Sequence, residues 1–569
     1  MPSPEPDLAV NRWAWICRLP ASTEFLIVAA VVCLLAPFLD KAVHIDDPLF
    51  IWAAQHITAK PIDFYGFNVN WANTSEPMWS INYNPPLTSY FLAAVGGLAG
   101  WSEPVMHAGF LLWASGFALG CYHLARLLCG QPLLATLIVI CSPVFMVCAS
   151  TLMTDLPVAA LWTWATVFWV RGMNQKHFGW LAGSGVFCGL AFLTKYSAVL
   201  LPPLLLLYGL VQKRGIGIWV LPLLIPVGTI VCYQAATSSL YGTGMFSLAR
   251  GYASYGSAGF ASSQKSKWLI GLSFMGGCFL PALFYSPLLW KRRGLAFGGV
   301  FGCIVLGALG LWFGKLGMAE LRSNGNIRVG LLAQMAVLAV TGLGVLILAF
   351  ESCFKERDAA SWLLCAWVLA VFLFAAVFNW TVAARSFLPG LPAAAILIAR
   401  KLERARDSMS GRPALGWPLI PSVLLAIGVG VADCHLANSA RAAALRIATA
   451  YPPEQKTLWF MGHWGFQYYL QLAGAKPVDM RLMHLNEGDL LAVPSDNSNV
   501  KAPPADFAKE IASFETRPNQ WLATMKLSSG AGFYVAEAGP VPFVFGRIEP
   551  ERYSIFEFTE TVFKVPKGP

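Results

Sequence analysis

Long apolar runs separated by short polar segments occupy roughly the first three quarters of the chain. A run of roughly 17–25 apolar residues is long enough to cross a bilayer as one helix. By this criterion the pattern predicts about 13 membrane-spanning helices, at positions 23–40, 107–126, 132–149, 156–170, 178–194, 196–211, 216–235, 268–289, 295–314, 329–350, 360–378, 387–400 and 415–432. The first run ends in Asp40-Lys41 rather than a small-residue cleavage site, so we interpret it as a helix and not as a signal peptide. We therefore predict a mainly α fold, a polytopic transmembrane helical bundle.

The composition supports this class and excludes others. Hydrophobic residues make up 56% of the chain and charged residues 12%, and the mean hydropathy is +0.57, which is far too apolar for a soluble globular protein. The net charge of +10 arises from small basic clusters between apolar runs, such as Lys291–Arg293. Such clusters are typical of cytoplasmic loops, so the charge indicates a lipid bilayer as partner and no nucleic acid.

One further apolar run, Pro85–Gly100, decides the topology. If it does not cross the membrane, most basic clusters lie on the amino-terminal side, as the positive-inside rule requires. We therefore predict a surface helix within a first external loop at 41–106, a cytoplasmic amino terminus, and a second external loop at 236–267. This topology brings five charged residues to the outer face: Asp46, Asp47, Asp155, Lys195 and Arg385.

The pattern changes after position 432. Charged residues and prolines become frequent, and short runs predict strands at 457–461 and 489–494 with a helix at 465–473. We therefore divide the chain into a membrane domain, 1–432, and an extracytoplasmic α/β domain, 433–569. Gly462 and Gly465 fit an acceptor site or a tight turn, and we favour the turn. No cysteine follows Cys434 and no metal-binding spacing of cysteine and histidine occurs, so we expect no disulfide framework.

The charged residues at the outer face each have a functional and a structural interpretation. Asp46 and Asp47 follow the first span, where carboxylates are costly to desolvate and tend to be functional, but they could equally cap a helix beginning at Pro48. Asp155 could likewise cap the next helix. Lys195 and Arg385 could bind a phosphate, for which the planar guanidinium is better shaped, or extend to the interface.

Two weaker candidates lie near the acidic pair. His44 with Asp46 could hold a divalent cation, although a solvated interfacial histidine is the commoner case. Tyr83, like its neighbours Tyr65, Trp71 and Trp79, could stack on a sugar ring or anchor the loop at the interface.

Five stretches in this order resemble the bacterial branch of the GT-C glycosyltransferases, which includes protein O-mannosyltransferases and the lipid A aminoarabinose transferase. They are Asp46-Asp47, Asn84-Pro85-Pro86-Leu87, Ser142-Pro143 with Met153–Pro157, Gly189–Tyr196 and Arg385–Pro392. The resemblance covers about residues 23–400. It leaves the C-terminal domain without any matching motif.

The resemblance implies an enzyme that takes a sugar from a polyprenyl-phosphate donor at the outer face of the inner or plasma membrane. It implies that Asp46 is the base or the residue nearest the reacting centre, that Asp155 is the second external acidic residue, and that Asn84 begins the Pro-Pro motif. Together with the residue pattern, this makes Asp46, Asp47 and Asp155 our predicted catalytic residues, and Asn84 and Tyr83 our predicted substrate-binding residues. The aminoarabinose enzyme has lysine where this chain has Asn84, so the phosphate contacts fall to Lys195 and Arg385. The acceptor, whether protein, lipid or polysaccharide, and any metal requirement stay open.

The rival class is a polytopic transporter or a flippase for lipid-linked sugars. Transporters usually hold their ionisable residues near the middle of the membrane, often in two related halves. Here the candidate charges gather at one face and no half-to-half similarity occurs, so the sequence favours the enzyme. A non-catalytic subunit with a decayed fold is disfavoured because both acidic positions are retained.

Overall fold

A computed structural model of the chain describes residues 20–259, 264–312, 314–316, 319–323, 326–407 and 415–563. The amino terminus, which we expect in the cytoplasm, lies outside the described residues. The α-helices are α1 (Pro20–Leu35), α2 (Asp47–Ala59), α3 (Met78–Ile81), α4 (Leu87–Ala99), α5 (Glu103–Leu128), α6 (Pro132–Ile140), α7 (Pro143–Ala149), α8 (Asp155–Gln175), α9 (Phe178–Thr194), α10 (Leu201–Lys213), α11 (Leu224–Tyr241), α12 (Met245–Gly259), α13 (Gln264–Cys278), α14 (Pro281–Leu289), α15 (Arg292–Trp312), α16 (Val329–Glu356), α17 (Ala359–Leu373), α18 (Leu391–Asp407), α19 (Leu419–Ala450) and α20 (Trp464–Leu472). The chain is mainly helical, as predicted.

Among the described residues, seven helices are long and apolar enough to span a membrane. They are Glu103–Leu128, Tyr196–Lys213, Ile218–Tyr241, Arg292–Gly310, Val329–Glu356, Ala359–Phe378 and Leu419–Ala450. Two bent helix pairs, α6 with α7 and α13 with α14, would raise the number to nine. The chain is thus a multi-pass membrane protein, but the predicted number of 13 spans is not confirmed.

The difference arises at the short and broken spans. The pairs α6–α7 and α13–α14 bend by 63° and 88°, and each second helix begins with a proline, which lacks the N–H needed to continue the preceding helix. The runs at 23–40 and 178–194 form helices too short to count as spans. Those at 156–170 and 387–400 belong to α8 and α18, which are not among the seven.

The predicted surface helix at Pro85–Gly100 is present as α4, which begins just after Pro85-Pro86 and ends at Gly100 with a positive φ of 101°. Its position relative to the bilayer stays a prediction. Within the predicted external loop at 236–267, whose position outside the membrane stays a prediction, α12 forms a helix. Gly242, with φ of 72°, separates this helix from α11.

The C-terminal domain contains the predicted strands and helix around a mixed sheet. The strands of the chain are β1 (Asn68–Asn70), β2 (Ser75–Pro77), β3 (Lys315–Leu316), β4 (Ala319–Glu320), β5 (Arg322–Ser323), β6 (Asn326–Ile327), β7 (Leu458–Phe460), β8 (Lys476–Pro477), β9 (His484–Leu485), β10 (Leu490–Pro494), β11 (Ala508–Thr516), β12 (Leu522–Ala523), β13 (Met525–Lys526), β14 (Ala531–Gly532), β15 (Val544–Phe545), β16 (Glu551–Phe558) and β17 (Val562–Phe563). Five of them pair in the order β11-β16-β10-β7-β8, with β7 parallel to both of its neighbours and β16 antiparallel to both of its own. Helix α20 connects the parallel strands β7 and β8, as a parallel pair requires.

The two parts of the chain share one hydrophobic core. Buried residues of the bundle, such as Met146, belong to the same cluster as buried residues of the C-terminal region, such as Phe533 and Tyr553. Helix α19 runs without interruption through Asp433, where composition suggested a domain boundary. The C-terminal region therefore lies directly on the end of the bundle that carries the predicted site.

Candidate active site

Asp46 forms an ion pair with Arg385. It lies at the N-cap position of α2, but its side chain makes no capping bond. Instead, Oδ2 accepts a hydrogen bond of 2.7 Å from Nη1 of Arg385, 339 positions away in the chain. About a quarter of the Asp46 carboxylate is exposed (27%), so a ligand could reach it. The structure therefore favours the functional interpretation of Asp46 over the capping one.

A second ion pair lies beside the first. Asp155 is the first residue of α8, and its Oδ1 is 2.5 Å from Nζ of Lys195, which lies in extended conformation just after α9. Asp155 is buried, whereas the Lys195 side chain keeps 18% of its surface exposed. Burial opposes the charge of Arg385, but the nearby Asp46 and Asp155 carboxylates hold its pKa above the usual value. Four of the predicted residues thus form one cluster of alternating charge.

Asp47 faces away from this cluster into the protein. Its side chain has no exposed surface, and its two oxygens accept backbone hydrogen bonds from His44 (3.0 Å) and Leu152 (2.8 Å). Burial raises the pKa of Asp47 to about 7, against the opposing effects of Lys41 and of the two hydrogen bonds. This position fastens the first loop to the segment before Asp155, so the predicted catalytic role does not fit Asp47.

The backbone is strained at Ile45, between His44 and Asp46. Ile45 is buried and has a φ of +47°, a conformation that β-branched residues rarely adopt. Strain of this kind costs about 1–3 kcal/mol and clusters at functional sites. Its effect here is to send the side chains of His44 and Asp46 in different directions.

A buried charged network lies behind the site. Lys41 Nζ is 2.6 Å from Oδ2 of Asp433, and neither side chain has exposed surface. Asp433 also accepts hydrogen bonds of 2.8 Å each from Thr524 Oγ1 and from the hydroxyl of Tyr534. Sequence analysis missed this network, although an aspartate inside an apolar span is itself a signal for a buried functional or structural pair.

His44 belongs to that network rather than to the Asp46 cluster. Its Nε2 is 3.9 Å from Oδ1 of Asp433, and its ring meets the edge of Tyr534 at 5.4 Å. Burial lowers the pKa of His44 to about 4, so its ring is neutral at pH 7. In the described parts of the chain, no three His, Cys, Asp or Glu side chains converge in a way that could hold a metal ion. A cation shared by His44 and Asp46 does not fit this geometry, because Asp46 turns to Arg385.

The two predicted substrate-binding residues of the first loop have different surroundings. Asn84 donates to the side-chain oxygen of Asn82, and its backbone carbonyl accepts from the Tyr65 hydroxyl. These bonds form a turn within the loop. Tyr83 instead contacts Tyr252 of α12 (4.9 Å between ring centroids), and Tyr252 in turn meets Trp380 (5.8 Å). Burial raises the pKa of Tyr252 to about 12, and Asp46 contributes to this shift. Tyr83 therefore begins an aromatic row that leads to the charged cluster.

The C-terminal region fixes the loop that carries Arg385. The backbone N–H of Ala384 donates to the carbonyl oxygen of Phe533 (2.8 Å), and that of Ala536 donates to Val382 (2.9 Å). Both bonds join a short 3₁₀ segment of the bundle, or the residues just before it, to the loop around β14. Nothing in the local sequence pattern identifies these partners, so sequence analysis missed them as well.

Comparison with known proteins gives one family match. Residues 83–238 match the family model for dolichyl-phosphate-mannose-protein mannosyltransferase. This segment contains three of the five stretches on which the predicted resemblance rests, including Asp155 and Lys195. Among curated proteins the chain finds no match.

Similar solved structures include two membrane enzymes of known class. The oligosaccharyltransferase of Archaeoglobus fulgidus in the apo form aligns with a TM-score of 0.49 and 12% identity, over 82% of this chain and 65% of that one. ArnT from Cupriavidus metallidurans, bound to undecaprenyl phosphate, aligns with a TM-score of 0.40 and 15% identity, over 84% of this chain and 93% of that one. The chain thus spans less than two thirds of the length of the oligosaccharyltransferase. The family match confirms the resemblance that the motifs predicted.

Proposed function

We propose that this chain, which belongs to the GT-C superfamily of membrane glycosyltransferases, transfers a sugar from a polyprenyl-phosphate donor to an acceptor at the outer face of the membrane. The observation that carries the proposal is the cluster of two carboxylates and two cations at one end of the bundle. Transfer from a lipid phosphate needs a base for the acceptor hydroxyl and cations for the departing phosphate. This cluster contains both kinds of group.

Asp46 acts as the general base in this proposal. Its carboxylate is partly exposed and lies 2.7 Å from Arg385, so it is paired with a cation and accessible at the same time. It accepts the proton of the acceptor hydroxyl while the oxygen attacks the anomeric carbon and the bond from that carbon to the phosphate oxygen breaks. A base of this kind typically accelerates a reaction by about 10²–10⁴-fold.

Arg385 and Lys195 bind the donor phosphate. Arg385 is already paired with Asp46, and Lys195 with Asp155, so an incoming phosphate competes with the two carboxylates for these cations. Arg385 can offer a second N–H to the phosphate while it keeps its bond to Asp46, because the guanidinium has five donors. The Arg385 guanidinium thereby binds the phosphate through one N–H and the base, Asp46, through another.

Asp155 and Asp47 position these groups. Asp155 is buried against Lys195 and fixes the direction of its ammonium group. Asp47 holds the loop that carries Asp46, through its bond to the Leu152 N–H. Both acidic residues support the reaction without contacting the substrate in this proposal.

We further propose that the site faces away from the cytoplasm, with the C-terminal domain on the same side. The basic clusters that support this orientation lie at the other ends of the spans, for example Lys355 at the end of α16 and Arg400 near the end of α18. A cysteine-accessibility scan at Glu560 and Lys355 tests it. An impermeant thiol reagent is expected to label the first position from outside and the second only after permeabilisation.

Product analysis tests the activity itself. The purified full-length protein in lipid nanodiscs is incubated with polyprenyl phosphates that carry different sugars, together with peptide, lipid and oligosaccharide acceptors. We expect a glycosylated product by mass spectrometry with one donor class, and release of polyprenyl phosphate in equal amount. Solute or lipid-sugar movement across proteoliposomes without any glycosylated product would contradict the proposal.

A further inference from the structure

A cavity of about 320 Å³ separates the C-terminal domain from the first external loop. Its walls come from widely separated parts of the chain: the first loop at His44, the segment after α17 at Trp380, the start of α20 at Trp464, and the loop after β14 at Glu537. This volume is at the lower end of the range for small-ligand sites. It suits the end of a small molecule or glycan and not a folded polypeptide.

The cavity lies next to the charged cluster. His44 and Ile45 line it, and the next residue is Asp46, whose carboxylate accepts from Arg385 and does not itself line the cavity. Tyr252, whose pKa both Asp46 and Glu537 help to raise, contacts Trp380 of the lining with 5.8 Å between ring centroids. The cavity wall at Ile45 is therefore one residue from the proposed base.

Two polar atoms of the lining have no hydrogen-bond partner among the described residues. They are Nε2 of His44, whose residue is 4% exposed, and Oε1 of Glu537, whose other oxygen accepts from Thr381 Oγ1. Buried polar groups normally have partners, so unsatisfied ones at a cavity wall point to a ligand that supplies them. A carboxylate oxygen accepts hydrogen bonds, and a nitrogen of a neutral imidazole either accepts or donates one. A hydroxyl group, which both donates and accepts, can satisfy either atom.

The charges of the lining exclude an anionic ligand. Lys526 is its one lysine, and its ammonium is 2.6 Å from Asp496 and therefore already neutralised. Glu537 and Glu551 add further acidic groups. A phosphate or carboxylate would find carboxylates and no unpaired cation here.

The aromatic walls favour a ring with an apolar face. Trp380 and Trp464 are both half-buried and line the cavity, and Trp464 is held in a strained conformation with φ of +64°. Tryptophan faces at such a site bind the C–H face of a flat ring, while a few polar groups fix its orientation. Aromatic planes combined with hydroxyl acceptors describe a carbohydrate site.

We propose that this cavity is the acceptor site of the enzyme and that the acceptor is an uncharged carbohydrate. The proposal rests on the proposed function and deepens it. The sugar ring lies against Trp380 and Trp464, with hydroxyl groups hydrogen-bonded to Glu537 and His44. The acceptor extends past Ile45 to Asp46, which removes the proton of one further hydroxyl group as the donor sugar is transferred.

Glycan binding without any donor tests the proposal. The full-length protein in nanodiscs is titrated with mannotriose, cellotriose and chitotriose, and with oligogalacturonate as the anionic comparison, and the quenching of tryptophan fluorescence is followed. We expect binding of at least one neutral trisaccharide and none of the anionic one. Glu537→Gln and Trp380→Ala are each expected to weaken that binding at least tenfold. Glu560→Gln, which changes an exposed carboxylate of the same domain, is the matched control and is expected to leave it unchanged.

Donor binding is measured in parallel so that the two proposals can fail separately. Undecaprenyl phosphate is expected to bind wild type and both cavity variants equally. If it binds but no neutral trisaccharide does, or if a Ser/Thr-rich peptide is glycosylated with the same efficiency in both cavity variants, the carbohydrate acceptor site is wrong and the transferase proposal stands. If undecaprenyl phosphate itself does not bind, the transferase proposal fails.

Discussion

Replacing Asp46 with asparagine separates a chemical role from a structural one. The substitution keeps the shape of the side chain but removes the base and the charge partner of Arg385. At a charge separation of about 4 Å and an effective dielectric constant of about 20, that attraction is worth about 4 kcal/mol before desolvation. Because both side chains are more than a fifth exposed, the net contribution to stability is about 1 kcal/mol. Loss of the general base, in contrast, lowers the transfer rate by about 10²–10⁴-fold, or about 3–5 kcal/mol of barrier.

These two magnitudes lead to a decisive assay. Transfer from the preferred polyprenyl-phosphate sugar is measured as initial rate in nanodiscs, next to the thermal midpoint of unfolding. We expect Asp46→Asn to lose at least 100-fold in kcat while its midpoint changes little. Asp40→Asn is the matched control, since Asp40 lies in the same stretch with a side chain that is 75% exposed. If Asp46→Asn retained more than a tenth of the wild-type rate, Asp46 would not be the base.

Three further substitutions test the surroundings of the site. His44→Gln tests the pH dependence of stability. Burial lowers the pKa of His44 from about 6.5 to about 4 in the folded protein, so the neutral ring contributes about 3 kcal/mol to the free energy of unfolding above pH 6.5, and this contribution is lost as the pH falls to 4. The thermal midpoint of the variant should therefore fall less steeply between pH 6.5 and pH 4 than that of wild type. In Gly465→Ala, the new Cβ would lie 2.1 Å from a carbonyl oxygen of the first loop, so we expect destabilisation by about 2 kcal/mol or more and loss of transfer, whereas Gly97→Ala, which meets no atom within 4 Å, should unfold like wild type. Lys41→Met should cost about 3–5 kcal/mol in unfolding experiments because it leaves Asp433 buried without its cation, and the double variant with Asp433→Asn should recover part of that loss.

The sequence allowed the bundle and the location of the candidate site to be predicted because both depend on local patterns. Apolar run length identified the helices, and the positive-inside rule placed Asp46, Asp155, Lys195 and Arg385 on one side. The structure brings these four together. The span count exceeded the seven to nine found in the described residues because run length does not reveal where a proline bends a helix, or that the helices at 23–40 and 178–194 are too short to count as spans and that α8 and α18 are not among them.

Which charged residues pair with each other could not be predicted from the sequence. Lys41 and Asp433 are 392 positions apart, and their contact depends on how the whole bundle closes. The burial of Asp47 was equally hidden, since two adjacent aspartates look alike until the backbone at Ile45 directs one towards Arg385 and the other into the protein. Gly462 fits the predicted turn, with φ of 94°, but Gly465 is required for a different reason, the close approach of α20 to the first loop.

The bonds that Thr524 and Tyr534 donate to Asp433 impose an order on biosynthesis. The ribosome makes these two residues after all of the helices that carry Asp46 and Arg385. Until they have docked, the buried carboxylate lacks two of its partners. A chain whose C-terminal region has not yet docked would therefore hold the helices of the bundle but not the complete network behind the candidate site.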